Sequence, residues 1–233
     1  MWRIDFFSIG RVIEYFLPIA AKLHITLLIA MTSLAGGLIL ATMIAAVLIF
    51  HIPVLYQLAR VFISFIRAIP INIQLFIFFY GIPVWLRPLF APFGINLARA
   101  DPIYSVIITY AISSSAFLAI MLQGAFMGVD PGQYEAALSI GMTRSQMFRR
   151  VIIPQAYRIA LPELGNNIVS NLKNTSLAFT LGIIDMIGRA QAIATRTHHT
   201  LEGYIDVAII YFALCTLLEK GFAVIEKQNR IMK

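Results

Sequence analysis

Long apolar stretches separated by short polar connections dominate the pattern of this chain. Residues 23–50, 68–86 and 102–129 contain no Asp, Glu, Lys or Arg. Each stretch is close to or longer than the roughly 18–20 residues that cross a bilayer as a helix. Because lipid offers no hydrogen-bond partner to the backbone, a helix is the expected structure of such a stretch. The pattern therefore predicts an all-α integral membrane protein.

Five membrane-spanning helices are predicted within one transmembrane domain, residues 22–226. They cover residues 22–50, 57–82, 103–128, 156–185 and 202–226. The connection after the second span, residues 81–101, is rich in Pro, Gly and aromatic residues, which is typical of an interfacial loop. Gly36 and Gly37 are expected to let another helix approach the first span closely. Residues 227–233 form a short C-terminal tail.

The segment before the first span, residues 1–21, has no short apolar core that ends at a small-residue cleavage site, so no cleaved signal is predicted. Its spacing fits an amphipathic helix lying on the membrane, and a frayed terminus is the alternative. The side chains expected to face lipid are Trp2, Phe6, Phe7, Ile9, Val12, Ile13 and Phe16.

Composition narrows the class of protein further. Of the 233 residues 60% are hydrophobic and 12% are charged, and a soluble domain carries about twice that share of charge. The net charge of +7 comes from basic residues dispersed among apolar spans, so no nucleic-acid partner is expected. Cys215 is the single cysteine, which rules out a disulfide within the chain.

Residues 130–154 carry the most specific pattern in the chain. Asp130-Pro131-Gly132 is a turn signal, and a short helix is expected from Gln133 until Gly141 ends it. Thr143 and Gln146 have the spacing of a capping box at the start of a second helix, and Pro154 is expected to end that element and begin the next span. The spacing E-A-A-x3-G-x9-I-x-L-P is met by Glu135, Ala136, Ala137, Gly141 and Pro154, with Val151 and Ile153 at the Ile and Leu positions.

This spacing resembles the EAA signature of bacterial ABC importer permeases, the alternative being an ordinary loop with chance spacing. The resemblance implies a type I ABC importer permease fold with a cytoplasmic loop that grips an ATPase. Glu135, Ala136, Ala137, Gly141 and Pro154 would then be the coupling residues. With five spans, a cytoplasmic loop puts the N-terminus outside and the C-terminus inside, and a small excess of Lys and Arg on the cytoplasmic side agrees.

Further segments resemble the polar amino acid branch of these permeases. Residues 65–70 with Gln74-Leu75 and Tyr80-Gly81, residues 130–134, and Lys173-Asn174-Thr175-Ser176-Leu177 are similar to its motifs and occur in its order. Thr197-His198-His199 and the run KNTSLAFTLGI resemble the cystine and sulfur amino acid members. One departure is that Ile120 and Gln123 stand where many members have Glu and Arg.

The resemblance also implies partners. These are two ATP-binding cassette subunits, a second permease that is a copy or a relative, and an extracytoplasmic amino-acid-binding protein, all at a lipid membrane. The chain has no G-x4-G-K-[ST] sequence, so it is expected to hold no cofactor of its own, while ATP and Mg bind to the ATPase. It is predicted to be a transport subunit of the bacterial cytoplasmic membrane and not an enzyme.

The predicted fourth span is unusually polar, which makes it the candidate substrate path. Asn167, Asn171 and Asn174 are spaced to share one helix face. Uncharged amides on that face could bind the carboxylate and ammonium of a zwitterionic amino acid, the alternative being polar contacts between helices or subunits. The full candidate set is Asn167, Asn171, Lys173, Asn174, Thr175 and Ser176, with Gln74 from the second span.

The sequence supports other functions less well than transport by an ABC importer. His198, His199 and Glu202 invite a metal site, but they lack further ligands, and an external loop between the fourth and fifth spans is the simpler interpretation. An ATP-independent secondary transporter would usually be longer and show paired halves. A permease for another small solute stays open, whereas a membrane-embedded enzyme would need a catalytic pair that the sequence does not offer.

Overall fold

The computed structural model describes residues 7–94 and 96–230, and these form ten α-helices with no strand among them. The prediction of an all-α fold is confirmed. The helices are α1 Ile9–Ala20, α2 Leu23–Ile49, α3 Leu55–Ala68, α4 Ile71–Phe90, α5 Pro102–Met127, α6 Pro131–Ser139, α7 Arg144–Met147, α8 Ile153–Asn174, α9 Met186–Thr197 and α10 Thr200–Arg230.

Four of the described helices are long and apolar enough to cross a membrane. They are Leu23–Ile49, Ile71–Phe93, Pro102–Met127 and Thr200–Asn229. A fifth span results if the bent pair Arg144–Leu181 and Met186–Thr197, which meet at 44°, is counted as one. The first, third and fifth predicted spans therefore correspond to single helices.

The predicted second span, residues 57–82, is wrong in its bounds because the helix breaks at Pro70. Ile69 is extended, with φ −96° and ψ 128°, as the clash of a proline ring with the preceding residue requires. α3 ends at Ala68 and α4 begins at Ile71. The predicted loop 81–101 is also corrected, because α4 continues through Pro83 and Pro88 to Phe90.

The N-terminal segment does contain an amphipathic helix, α1. Tyr15 and Ile19 are buried, whereas Phe7, Ile9, Ile13 and Phe16 are exposed and Val12 is half-buried. Trp2 and Phe6, which were expected on the same face, lie outside the described residues.

The connection between the fourth and fifth predicted spans is not a simple loop. It contains α9, and Asp185 caps the start of that helix by accepting a hydrogen bond from the Gly188 backbone N–H at 2.8 Å. Gly182 lies just before it with φ +83°, a left-handed conformation that glycine adopts without steric cost.

The chain divides into two compact units, each built from three segments. The first consists of Met1–Leu34, Pro70–Tyr110 and Ser170–Leu217. Among its described residues, two apolar clusters stabilise it, one around Tyr110 and Leu181 and the other around Ile19 and Met186.

The second unit consists of Ala35–Ile69, Ala111–Val169 and Leu218–Lys233. Gly37 is packed so closely in it that an added Cβ would collide with the Ser114 hydroxyl and lie 3.1 Å from the Ala111 carbonyl oxygen. The prediction that the glycine pair permits close helix packing is thus confirmed.

Candidate functional site

The EAA residues lie on the short helix α6, whose start is fixed by its own sequence. The Asp130 carboxylate accepts a hydrogen bond from the Gly132 backbone N–H at 2.7 Å, and Pro131 occupies the first helical position. Glu135 and Ala136 are exposed, whereas Ala137 is buried against the chain. Ala137 therefore packs against the rest of the chain, whereas Glu135 and Ala136 lie on the exposed side of the helix.

Gly141 ends α6 with a Schellman motif. The Met142 backbone N–H donates to the Ala137 carbonyl at 3.1 Å, and the Gly141 N–H donates to the Leu138 carbonyl at 3.0 Å. Gly141 has φ +79°, which this motif requires at the position after the helix cap. The predicted turn at Gly141 is confirmed.

The capping box predicted after the turn is also present. The Thr143 N–H donates to Gln146 Oε1 at 2.9 Å, and the Gln146 N–H donates to Thr143 Oγ1 at 3.3 Å. Two otherwise unpaired donors at the start of α7 are satisfied in this way. The chain therefore leaves the turn in one defined direction.

Pro154 does not separate two elements as predicted, because the helix from Arg144 continues through it to Leu181. A π-helical turn at Phe148–Ile152 precedes it directly. Proline supplies no N–H and its ring clashes with the preceding turn, so a wider turn at this point lets the helix continue.

An aromatic contact that was not predicted from the sequence holds α6 in place. The Phe148 ring lies 6.4 Å from the Tyr134 ring, 6.5 Å from the Phe126 ring and 5.7 Å from the Phe50 ring, measured between centroids. These residues come from α6, α5 and the end of α2. Tyr134, just before the EAA pattern, and Phe148, within it, were the available signal.

The tip of α6 exposes two apolar side chains. Leu138 is half exposed and Ile140 is 74% exposed. Together with Glu135 and Ala136 they form a small surface on residues 135–140, which we call the coupling surface. Apolar side chains exposed beside small ones are suited to contact with another protein.

The polar residues of the predicted fourth span have different surroundings. Asn171 and Thr175 are buried, Asn167 and Ser176 are half-buried, and Lys173 and Asn174 are exposed. Gln74 is buried on α4. The structure therefore does not present the whole set on one open surface.

Two of these side chains make contacts that hold helices together. Asn171 Oδ1 accepts a hydrogen bond from the Ser33 hydroxyl at 3.3 Å. The Thr175 hydroxyl donates to the Leu172 carbonyl at 2.6 Å and lies 3.1 Å from the Tyr211 hydroxyl. For these two residues, polar packing is a sufficient explanation.

Asn174 marks a change in helix type. α8 ends there, and a 3-10 helix covers Thr175–Leu181. The Tyr110 hydroxyl donates to the Asn174 carbonyl oxygen at 2.6 Å. A change of this kind in mid-span frees backbone groups and often marks a functional position.

Glu163 lies on α8, and the neighbouring amides hydrogen-bond to it. Asn167 Nδ2 donates to the Glu163 carboxylate at 3.2 Å and to its carbonyl oxygen at 2.9 Å, and Asn166 Nδ2 donates to the carboxylate at 3.3 Å. The Asn167 amide is therefore already engaged within its own helix.

A second polar feature is a cavity of about 540 Å³ within the second unit, between α2, α3 and α5. We call it the arginine cavity. It is lined by Arg60, Arg67, Tyr56, Ser64, Phe117, Ile120, Gln123 and three aliphatic residues, Leu48, Ile63 and Ala68. Ile120 and Gln123, the positions at which the sequence departs from the permease pattern, thus lie beside two arginines.

The residues considered for a metal site serve to join two helices. His199 Nδ1 lies 3.1 Å from Glu202 Oε1, and the same oxygen accepts a hydrogen bond from the Ser8 backbone N–H at 3.1 Å. Glu202 is 1% exposed. This contact fixes the start of α10 to the start of α1, and His198 only caps α9 in a left-handed conformation.

Comparison with known proteins agrees with this arrangement. Residues 37–230 match the family described as binding-protein-dependent transport system inner membrane component. The L-cystine transport system permease protein TcyL of Bacillus subtilis is 43% identical over 222 residues, which cover 95% of this chain and 91% of that protein. The probable amino-acid ABC transporter permease protein PatM of Vibrio harveyi is 38% identical, with 88% of each chain covered.

A crystal structure described as an amino acid ABC transporter with histidines has the same fold. Its TM-score is 0.81 at 29% sequence identity, and the match covers 95% of this chain and 99% of that one. With the multi-pass helical architecture and the EAA helix in place, the chain belongs to the family of binding-protein-dependent transport system inner membrane components and is the permease subunit of an ABC importer.

Proposed function

We propose that this permease carries a polar amino acid across the cytoplasmic membrane, and that the amino acid is cystine or another sulfur amino acid. The observation that supports this most directly is the 43% identity over 95% of the chain to a cystine permease. The run KNTSLAFTLGI, which begins at the end of α8 and includes the 3-10 helix, agrees with this proposal.

The energy would come from two separate ATP-binding cassette subunits. ATP and Mg would bind to those subunits, and this chain would contribute only the coupling surface. Ala136 is small and exposed, so it permits close approach, and Glu135 beside it can pair with a basic residue of the ATPase. Ala137, Gly141 and Pro154 would keep the helix in place and would not touch the partner.

A second permease, either a copy or a relative, would complete the path, and an extracytoplasmic amino-acid-binding protein would deliver the substrate. The coupling surface then lies in the cytoplasm, the N-terminus outside and the C-terminus inside. Closure of the ATPases would move α6 and switch the spans between outward-open and inward-open states as rigid bodies. Nucleic acid has no part in this scheme.

The substrate path would run along α8 and the following 3-10 helix. Lys173 and Asn174 are the candidates with exposed side chains, and the half-buried Ser176 follows them. The buried Asn171, Thr175 and Gln74 would shape the path from behind, together with Asn167, whose amide is bonded to Glu163. An uncharged amide at Asn174 suits a zwitterion better than a cationic amino acid, because it offers no countercharge.

Uptake by proteoliposomes that contain the purified complex tests this function. We expect radiolabelled L-cystine to enter only when the binding protein and ATP are both supplied, and an ionophore to have no effect. Uptake that follows an ion gradient without ATP would indicate a secondary transporter. ATP-driven uptake of a different solute would agree with the assignment as an ABC importer but would reject L-cystine as its substrate.

A further inference from the structure

The arginine cavity contains two positive charges on one face of α3. Arg60, Ser64 and Arg67 are spaced four and three residues apart and are all exposed, so they lie on one side of the helix. The exposed apolar residues Val61 and Phe65 lie on the neighbouring flank of the helix, about 100° around its axis from Arg60 and Ser64. This separation indicates that the arginines face a polar space while the apolar flank faces lipid.

Aromatic rings position both guanidinium groups. The Arg67 Cζ atom lies 5.3 Å from the centroid of the Phe117 ring, and the Arg60 Cζ atom lies 5.9 Å from that of Tyr56. These distances are within the range of cation–π attraction. A guanidinium stacked in this way loses less freedom when it binds an anion.

The cavity offers these arginines no countercharge. No Asp or Glu is among its lining residues. Within residues 7–94 and 96–230, neither arginine forms an ion pair with a carboxylate. Ile120 is apolar, and Gln123 adds a neutral hydrogen-bonding group. The cavity is therefore positively charged and open to an anionic ligand, and its volume is in the range of small-molecule sites.

We propose that the arginine cavity is a further substrate site, in addition to the candidates on α8, and that it binds the carboxylate groups of the transported amino acid and selects a substrate with two carboxylates and no net positive charge. This proposal rests on the proposed function. Arg60 and Arg67 are two helical turns apart, about 10 Å along the axis. Each guanidinium fork can bind one carboxylate through two parallel hydrogen bonds. A cationic amino acid would be repelled by the same two charges.

The test measures ligand binding to the purified permease–ATPase complex without its binding protein, by thermal shift and calorimetry. The probes are L-cystine, its dimethyl ester, in which both carboxylates are blocked, and L-lysine. Variants R60Q, R67Q and R60Q/R67Q are compared with R87Q, which changes an exposed arginine of α4 outside the cavity. I120E places a carboxylate beside the two arginines. R60K/R67K keeps both positive charges but lacks the planar guanidinium that binds a carboxylate through two parallel hydrogen bonds.

We expect wild type and R87Q to bind L-cystine and neither of the other probes. R60Q/R67Q and I120E should bind it about tenfold or more weakly, and R60K/R67K should lie between. Two results would overturn the proposal. One is equal binding of L-cystine by wild type and by R60Q/R67Q. The other is an R60Q/R67Q variant that binds L-cystine normally but no longer co-purifies with its ATPase or second permease, because the arginines would then pair with a subunit.

Uptake measured on the same preparations keeps the two proposals separate. A complex that imports L-cystine while R60Q/R67Q binds and transports it like wild type rejects the arginine cavity and keeps the proposed function. A wild-type complex that neither binds nor imports L-cystine rejects both.

Discussion

The ring of Tyr134 on α6 meets the ring of Phe148 edge to face, with centroids 6.4 Å apart and an interplanar angle of 81°. Phe148 also contacts Phe126 and Phe50, so one side chain connects the helix that carries the EAA residues with the ends of α5 and α2. A push on α6 can reach those helices through this contact. Phe148 is therefore expected to transmit movement without touching substrate or nucleotide.

Replacing Phe148 with Ala should weaken this connection. Each aromatic pair contributes about 0.5–1.5 kcal/mol beyond its buried area, and the substitution removes three of them. We expect Phe148→Ala to retain ATP hydrolysis by the complex while amino acid uptake falls several-fold, and Phe148→Tyr to stay close to wild type. Hydrolysis and uptake are measured on the same proteoliposomes.

Phe212→Ala is the matched control, because Phe212 is an exposed phenylalanine on α10. If Phe148→Ala kept the wild-type ratio of uptake to hydrolysis, the aromatic contact would have no part in coupling.

Gly141→Ala should disturb the end of α6, because a side chain at φ +79° is strained. The expected cost is about 1–2 kcal/mol, and Gly141→Asn should be better tolerated since asparagine adopts this conformation more readily. We predict that less ATPase co-purifies with the alanine variant. Gly124→Ala, in a helix with open space around the added carbon, should behave as wild type.

A bulky residue at Ala136 should block the coupling surface without affecting the fold. Ala136 is exposed, so the larger side chain of Ala136→Phe can extend into solvent. We expect normal insertion in the membrane and loss of most of the bound ATPase, judged by pull-down. Val224→Phe, at an exposed position of α10, is the comparison. Equal ATPase recovery from both variants would mean that the partner binds elsewhere.

Asn171 and Asn174 should respond differently to alanine. Asn171 is buried and accepts a hydrogen bond from Ser33, so Asn171→Ala should reduce the free energy of unfolding by about 1–3 kcal/mol. Asn174 is exposed, and Asn174→Ala should lower uptake while the thermal unfolding temperature stays unchanged. Normal transport by Asn174→Ala would remove that side chain from the substrate path.

Much of this architecture was predictable because its signals are local. The Gly141 turn and the Thr143–Gln146 capping box depend on side chains and backbone within a few residues, and both occur as expected. The long apolar runs of α2 and α5 likewise determine their own helices. The break at Pro70 was locally encoded too, but the continuous hydrophobicity around it outweighed the proline signal.

What could not be predicted depends on residues distant in sequence. Nothing near Phe148 indicates that Phe50 will lie 5.7 Å away, and nothing near Asn171 indicates Ser33. The arginine cavity forms only when α3 and α5 pack together, so Ile120 and Gln123 appeared as unexplained departures. The exposure of Ile140 depends on which distant residues of the chain pack against α6, and the residues around Ile140 do not specify these.

Purification of the tagged chain from its own host in mild detergent, with identification of every co-purifying protein, tests the central claim most directly. The account predicts an ATP-binding cassette subunit in the preparation, together with ATP hydrolysis that falls when Glu135 is replaced with Ala. A chain that purifies alone, in a host whose amino acid uptake is unchanged by Glu135→Ala, would contradict it.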